Sequence, residues 1–326
     1  MSAAELVRGS VVPTRDDIER AEARIAPHVR RTPVLELTAG SLGVRAPFAA
    51  KLELLQVTGS FKPRGAFNRM LSTEVGDVGV VAASGGNYGL AVGHAAHALS
   101  YRAEIFVPST SPVAKIDKVR ATGADVHVIE GYYDDASAAA ATRRDATGAV
   151  WMHPFDQPEV VAGQGTIGAE LAEQTPDADT VLVAVGGGGL IGGIASWFAD
   201  SDVRVVGVEP DTSRCLQAAL QAGAPVDVPV SGRAADSLGA RRVGDIAFAV
   251  ADAGHVAEVV LVDDEAIRDA QRAIWRELRL YAEPGGAAAL AAMLTNGFEP
   301  ADGERVVVLI CGANGDPADV VYSALD

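Results

Sequence analysis

The chain has 326 residues, 48% of them hydrophobic and 21% charged, and a formal net charge of −16 at pH 7. That balance fits a folded chain with one large or two modest cores and excludes a disordered one. So acidic a field repels nucleic acid and anionic lipid, so neither is expected as a partner.

Met1 to Asp17 carries Glu5, Arg8, Arg15, Asp16 and Asp17 and no apolar run, so no secretory leader and a cytoplasmic location are expected. Lys51–Leu55 reads as a possible strand. From there, β-branched runs alternate with alanine-rich stretches. They predict a strand at Val78–Ala82, a helix at Gly89–Leu99, a strand at Ala103–Val107 and a helix at Pro112–Thr122. A strand at Val126–Ile129 and helices at Asp134–Ala146 and Val160–Gln174 follow. The second half predicts strands at Thr180–Val185, Val203–Glu209, Glu258–Val262 and Val306–Cys311. Between them helices are predicted at Ile191–Ala199, Ser213–Gln221, Asp263–Leu278 and Gly286–Leu294. Most strand runs are continuously apolar, as in strands covered on both faces, so the alternation implies α/β layers on a largely parallel sheet. Ser111 reads as an N-cap ahead of Pro112, Gly123 as a helix stop, and Asp263-Asp264-Glu265 as a negative first turn.

Thr180–Ala199 has no charge and approaches membrane-span length. Its glycine run argues instead for a buried strand, a loop and a helix start, and no membrane association is expected. Cys215 and Cys311 lie far apart and form neither a CxxC pair nor a metal-ligand spacing. A reducing compartment is the simpler reading, and no metal is expected.

Lysine is scarce: Lys51, Lys62, Lys115 and Lys118 are the only four. An amine that acts as a nucleophile cannot be replaced by arginine, which does not give up its proton. Lys115 and Lys118 fit the solvated face of a helix, and the role of Lys51 is open. Lys62 stands in Thr58-Gly59-Ser60-Phe61-Lys62-Pro63-Arg64-Gly65. With Ser60 as N-cap and Pro63 in the first turn, the positive end of the helix dipole would lower the amine's pKa. Such an amine can form a Schiff base. Alone, the motif fits an ordinary surface lysine beside a turn equally well.

Three more segments follow predicted strands. Ser84-Gly85-Gly86-Asn87 offers small residues and an amide at a helix start. Gly186-Gly187-Gly188-Gly189 is costly in chain entropy and suits a loop that wraps a phosphate. It is neither a dinucleotide fingerprint nor a Walker motif. Cys311-Gly312-Ala313-Asn314 ends the last strand, where α/β sheets place ligands. Singly, each fits a plain glycine-rich turn or a small buried residue.

Taken in order, these segments resemble those of fold-type II pyridoxal-phosphate (PLP) enzymes, in the threonine/serine dehydratase and serine racemase group. The matching set also includes His153-Pro154-Phe155-Asp156, Ala162-Gly163-Gln164-Gly165-Thr166, Gly207-Val208-Glu209-Pro210 and Glu283-Pro284-Gly285-Gly286. It runs from about Arg31 to the C-terminus. The resemblance implies a tryptophan synthase β-like α/β fold of two open-twisted domains with PLP in the cleft. The small domain is expected at residues 49–147 and the large one at 1–48 and 148–326. Lys62 would hold the cofactor and act as the catalytic base. Phe61 and Asn87 would contact its ring and hydroxyl, and Gly186, Gly187, Gly188 and Gly189 its phosphate. Cys311 would face the pyridine nitrogen. Ser84, Gly85, Gly86 and Asn87 would hold the substrate carboxylate.

A neutral partner for that nitrogen makes the ring a weaker electron sink, which suits fast loss of a β-leaving group. The implied activity is α,β-elimination from L-threonine or L-serine, giving a 2-oxo acid and ammonia. A racemase or hydroxyaspartate dehydratase of the same group is the alternative, and a non-catalytic PLP-binding protein a third. Racemases of the group carry a proton-handling serine where Gly85 stands, which disfavours racemisation here. Glu209 matches one ligand of the group's cation site, but Cys215 stands near the place of an expected aspartate. Relatives that act on O-acetylserine carry other asparagine and phosphate loops. A homodimer is expected, with no feedback-regulatory domain after Asp326. Ser237 and Arg241 are further candidates for the pocket wall.

Overall fold

Two sheets organise the chain in the computed structural model, which describes residues 11–295 and 297–321. The larger sheet has six strands. In spatial order they are β1 (Val34–Leu37), β2 (Phe48–Lys51), β10 (Val306–Leu309), β7 (Thr180–Ala184), β8 (Arg204–Pro210) and β9 (Glu258–Val262). Its pairings are parallel except for the edge pair β1–β2. The smaller sheet orders β5 (Asp125–Ile129), β4 (Ala103–Pro108), β3 (Val80–Ala83) and β6 (Val150–Met152), parallel throughout.

Strand β3 shows why the apolar runs lack alternation. Val80 and Ala82 pack with Met70, Val92 and Ile105 on one face. Val81 and Ala83 pack with Phe106, Ala136 and Ala140 on the other. Side chains of period two thus reach apolar layers on both sides. The same holds around Val181–Ala184 in the larger sheet, whose side chains are all essentially buried.

The seven predicted strands are present, Glu258–Val262 with the expected bounds and the others with shifted ends, and three more appear among the described residues: β1, β2 and β6. They are four, four and three residues long, and unlike β3 and β10, which are also four residues, none lies in a run of adjacent β-branched residues. Of the possible strand Lys51–Leu55 only Lys51 is extended, because residues 53–55 form a 3-10 turn. An unpredicted helix, Arg15–Ile25, opens on a Thr14–Asp17 capping box and buries Ile18, Ala21 and Ile25. Ser111 does not cap the next expected helix: Pro112 is the N-cap, without a side-chain bond, and the helix runs Val113–Arg120. The expected division at 49–147 meets the sheets differently at both ends. Strand β2 pairs with β10 in the larger sheet, and β6, beyond residue 147, pairs with β3 in the smaller. Much of Met1 to Asp17 lies outside the described residues.

A buried ionic cluster joins the two parts. Lys51 Nζ lies 2.5 Å from Glu170, and Arg64 reaches Glu53 and Glu170 at 2.7 Å each. Lys51 also donates to the Thr32 carbonyl at 2.9 Å and to Gln174 at 2.7 Å. All four charged side chains are nearly inaccessible. Two cations against two carboxylates leave the cluster neutral, the condition under which buried charge is tolerated. Burial alone would raise the Glu170 carboxyl, but Arg64 and Lys51 hold it below its ordinary value. Lys51 is therefore a structural residue.

Candidate active site

Loops that follow strands of both sheets converge on one cleft. Ser84–Asn87 follows β3, His153–Phe155 follows β6, Gly186–Gly189 follows β7 and Cys311 follows β10. With Phe61 and Lys62 they line a cavity of about 820 Å³. The carboxyl ends of parallel strands therefore face each other across it.

Lys62 is the first residue of the helix Lys62–Leu71, but Phe61, not Ser60, is the N-cap and no side chain caps it. Ser60 instead bridges to Gly312 in an extended pairing. Phe61 N–H donates to the Cys311 carbonyl at 3.2 Å, and Ala313 N–H to the Gly59 carbonyl at 2.8 Å. These backbone bonds bring Lys62 and Cys311 to one wall. Lys62 Nζ donates to the Pro154 carbonyl at 3.0 Å and lies 5.0 Å from the Phe61 ring centre and 5.6 Å from that of Tyr88. Burial pushes the amine down to about 8, opposed in part by Cys311 and Glu283. Desolvation is thus the cause of a shift that the sequence ascribed to the helix dipole.

Three of the four glycines, Gly187, Gly188 and Gly189, are demanded by space. A Cβ on Gly187 would lie 2.3 Å from the Phe155 ring, and one on Gly189 2.8 Å from the Phe155 backbone. Gly188 has φ of +92° and caps the helix Gly189–Phe198. The loop therefore presents bare backbone at a helix N-terminus, an arrangement that binds anions. Cys215, fully buried, donates its thiol to the Gly186 carbonyl at 3.1 Å.

Asn87 opens the helix Asn87–Ala98. Its Nδ2 donates to Glu283 Oε1 at 2.5 Å, while its Oδ1 is buried with no partner among the described residues. Glu283 is only 3% exposed. Burial raises its carboxyl, and the bond from Asn87 opposes that. Gly312 has to be small, since a Cβ there would lie 2.2 Å from Glu283 Oε1. The sequence contained Glu283 in a matching segment without giving it a role. Its position just ahead of Pro284 at a helix start was the available signal.

Cys311 is buried, and its thiol lies 3.4 Å from the Gly285 carbonyl. Burial pushes it up to about 12, so it stays a neutral thiol. Glu209 spends its carboxylate on the N–H groups of Leu216 at 2.8 Å and Gln217 at 2.9 Å. Among the described residues one cluster has metal-ligand spacing, Glu104, Asp125 and His127. It lies away from the cleft, and Arg143 already holds both Glu104 oxygens at 2.9 and 2.8 Å.

Other wall residues were not foreseen. His153 Nδ1 accepts the Asp156 N–H at 2.9 Å, and burial pushes the imidazole down to about 4, so the ring is neutral with its proton on Nε2. Lys115, expected in solvent, reaches Asp236 across the cleft mouth and is only 13% exposed. Ser237 and Arg241 both line the cavity. Ser237 accepts the Gly285 N–H at 3.0 Å, and Arg241 faces Asp134 at 3.9 Å.

The profile of the family described as "Pyridoxal-phosphate dependent enzyme" matches residues 25–312. An L-threonine ammonia-lyase of Thermotoga maritima is 38% identical over 307 residues, 93% of this chain and 76% of that relative. The structure of maize serine racemase superposes with a TM-score of 0.89 at 32% identity, covering 97% of this chain and 98% of that one. The structure of a T.th. threonine deaminase superposes with a TM-score of 0.85 at 34% identity, covering 93% of this chain and 99% of that one.

Proposed function

We propose that this chain, which belongs to the pyridoxal-phosphate-dependent enzyme family, eliminates water from L-threonine, L-serine or both. The released enamine takes up a water and hydrolyses, so the final products are a 2-oxo acid and ammonia. One observation carries the reading: a lysine amine lowered to about 8 shares a glycine-cradled cavity with a neutral cysteine thiol.

The residues present fit the cofactor. Lys62 would hold it covalently, and the bare loop Gly186–Gly189 would take its phosphate. The partnerless Asn87 Oδ1 would meet the ring hydroxyl, Phe61 the ring, and Cys311 the ring nitrogen. When bound, PLP supplies the electron sink for the pair left at Cα.

The chain's own groups do the rest. The loop Ser84–Asn87 binds the amino acid's carboxylate. The Lys62 amine, poised near neutrality, takes the Cα proton. Cys311 stays neutral and adds no negative charge at the ring nitrogen, which favours departure of the β-hydroxyl over a long-lived carbanion. The proposal extends, on the family resemblance alone, to a cytoplasmic homodimer. Among the described residues no helix is long and apolar enough to cross a membrane.

Release of 2-oxo acid from L-threonine and L-serine by the PLP-loaded protein tests this. Turnover lost in Lys62→Ala supports it; no oxo acid from either substrate with PLP bound sinks it. Serine racemisation is the second reading, favoured by the likeness to maize serine racemase. Gly85, which has no side chain to carry a proton, speaks against it. Chiral analysis of recovered serine separates the two.

A further inference from the structure

The space above Gly85 is already filled. A Cβ on Gly85 would lie 2.2 Å from Ser111 Oγ, 2.9 Å from Ser111 Cβ and 3.5 Å from Val107 Cγ1. Ser111 comes from a different segment, between β4 and the helix Val113–Arg120, yet both residues line the same cavity. We propose that Ser111 supplies a hydroxyl that holds the carboxylate of the bound amino acid, in the place a side chain on residue 85 would occupy. This rests on the reading of the cleft as an amino-acid site.

Ser111 is held in place by its backbone. Its N–H donates to the Pro108 carbonyl at 3.0 Å, and Pro112 restricts the residue from the other side. The hydroxyl, by contrast, has no hydrogen-bond partner among the described residues. A hydroxyl that lines a ligand cavity and is committed to no other residue can donate to an acceptor bound there. Ser84 is less free, since its Oγ already accepts the Gly86 N–H at 3.3 Å. A carboxylate held from both the Ser84–Asn87 loop and the β4 loop is fixed in orientation as well as position. Such fixing presents the Cα–H bond to the Lys62 amine. Gly85 and Ser111 thus form one steric unit: the glycine makes room, and the serine returns a polar group from the other side.

The test separates hydroxyl from volume. Four variants are loaded with PLP: Ser111→Ala, Gly85→Ser, Gly85→Ala/Ser111→Gly and Gly85→Ser/Ser111→Gly. Calorimetry then measures the Kd of L-alanine, which has no β-leaving group, beside KM and kcat for L-threonine. Ser111→Ala is expected to raise Kd and KM about tenfold, with a smaller change in kcat and unchanged PLP content. Gly85→Ser alone is expected to bind poorly because of the overlap. Gly85→Ala/Ser111→Gly refills the space and is expected to stay weak. Gly85→Ser/Ser111→Gly restores a hydroxyl and is expected to recover the wild-type Kd.

An unchanged Kd in Ser111→Ala, or full recovery by the alanine double variant, overturns the assignment. So does formation of D-serine that vanishes in Ser111→Ala while Kd holds, because the hydroxyl would then carry a proton. Tight L-alanine binding without turnover of L-threonine or L-serine sinks the elimination reading alone.

Discussion

Lys62 Nζ and the Pro154 carbonyl meet at 3.0 Å, between a helix start and the loop that follows β6. A carbonyl acceptor holds the amine in place without supplying a full counter-charge. Burial can therefore still press the amine down to about 8.

The neutral amine is the nucleophile, and its fraction rises as pH climbs through its pKa. Capture of PLP by the cofactor-free protein is expected to accelerate with pH around a midpoint of about 8. Rapid-mixing absorbance across pH 6–10 checks this against the ordinary lysine value of roughly 10.4. Lys62→Ala is expected to show no covalent capture at any pH. A wild-type midpoint above about 10 contradicts the desolvated site.

Glu283 fixes the amide of Asn87 by accepting from Nδ2, which leaves the buried Oδ1 without a partner among the described residues. Glu283→Leu leaves Nδ2 unpaired and the amide unanchored. PLP affinity is expected to fall roughly tenfold or more, the cost of one lost charge-assisted hydrogen bond. Glu283→Gln keeps an acceptor and is expected to lose less. Equilibrium dialysis of PLP ranks the two, and equal losses would show that only the volume matters.

Cys311 is neutral because burial pushes its thiol up to about 12. Serine is neutral as well, so Cys311→Ser is expected to keep kcat within about tenfold of wild type at full PLP occupancy. Cys311→Asp would bring a carboxylate to the ring nitrogen, and elimination is expected to slow far more. Steady-state rates with PLP content measured in parallel decide it. Near-total loss in Cys311→Ser with PLP bound would contradict this account.

Arg64 compensates Glu53 and Glu170 inside a neutral cluster. Arg64→Met leaves those buried carboxylates facing Lys51 alone. A loss of roughly 3–5 kcal/mol is expected, as for removal of one member of a buried ion pair. Denaturant unfolding measures it, and a loss below about 1 kcal/mol would mean that the cluster relaxes toward water. Lys62 sits two residues away, so reduced PLP affinity is expected with the lost stability.

The layer type follows from the amino-acid order alone, because continuous apolar runs alternating with alanine-rich helices admit little else. So does the succession of loops that carry Lys62, Asn87, Gly186–Gly189 and Cys311. Glycine and proline act locally there, and local conformational limits are written residue by residue. Short strands such as β2 and β6 were not legible, since neither carries a run of adjacent β-branched residues and each is defined by the neighbour it pairs with. Folding in three dimensions was needed to pair Asn87 with Glu283, Lys115 with Asp236, or Gly85 with Ser111. Each pair joins segments distant along the chain, and such contacts depend on how the two sheets face each other. The cause of the lowered Lys62 amine was likewise hidden: a dipole can be read from a helix start, but desolvation exists only once the cleft has closed around it.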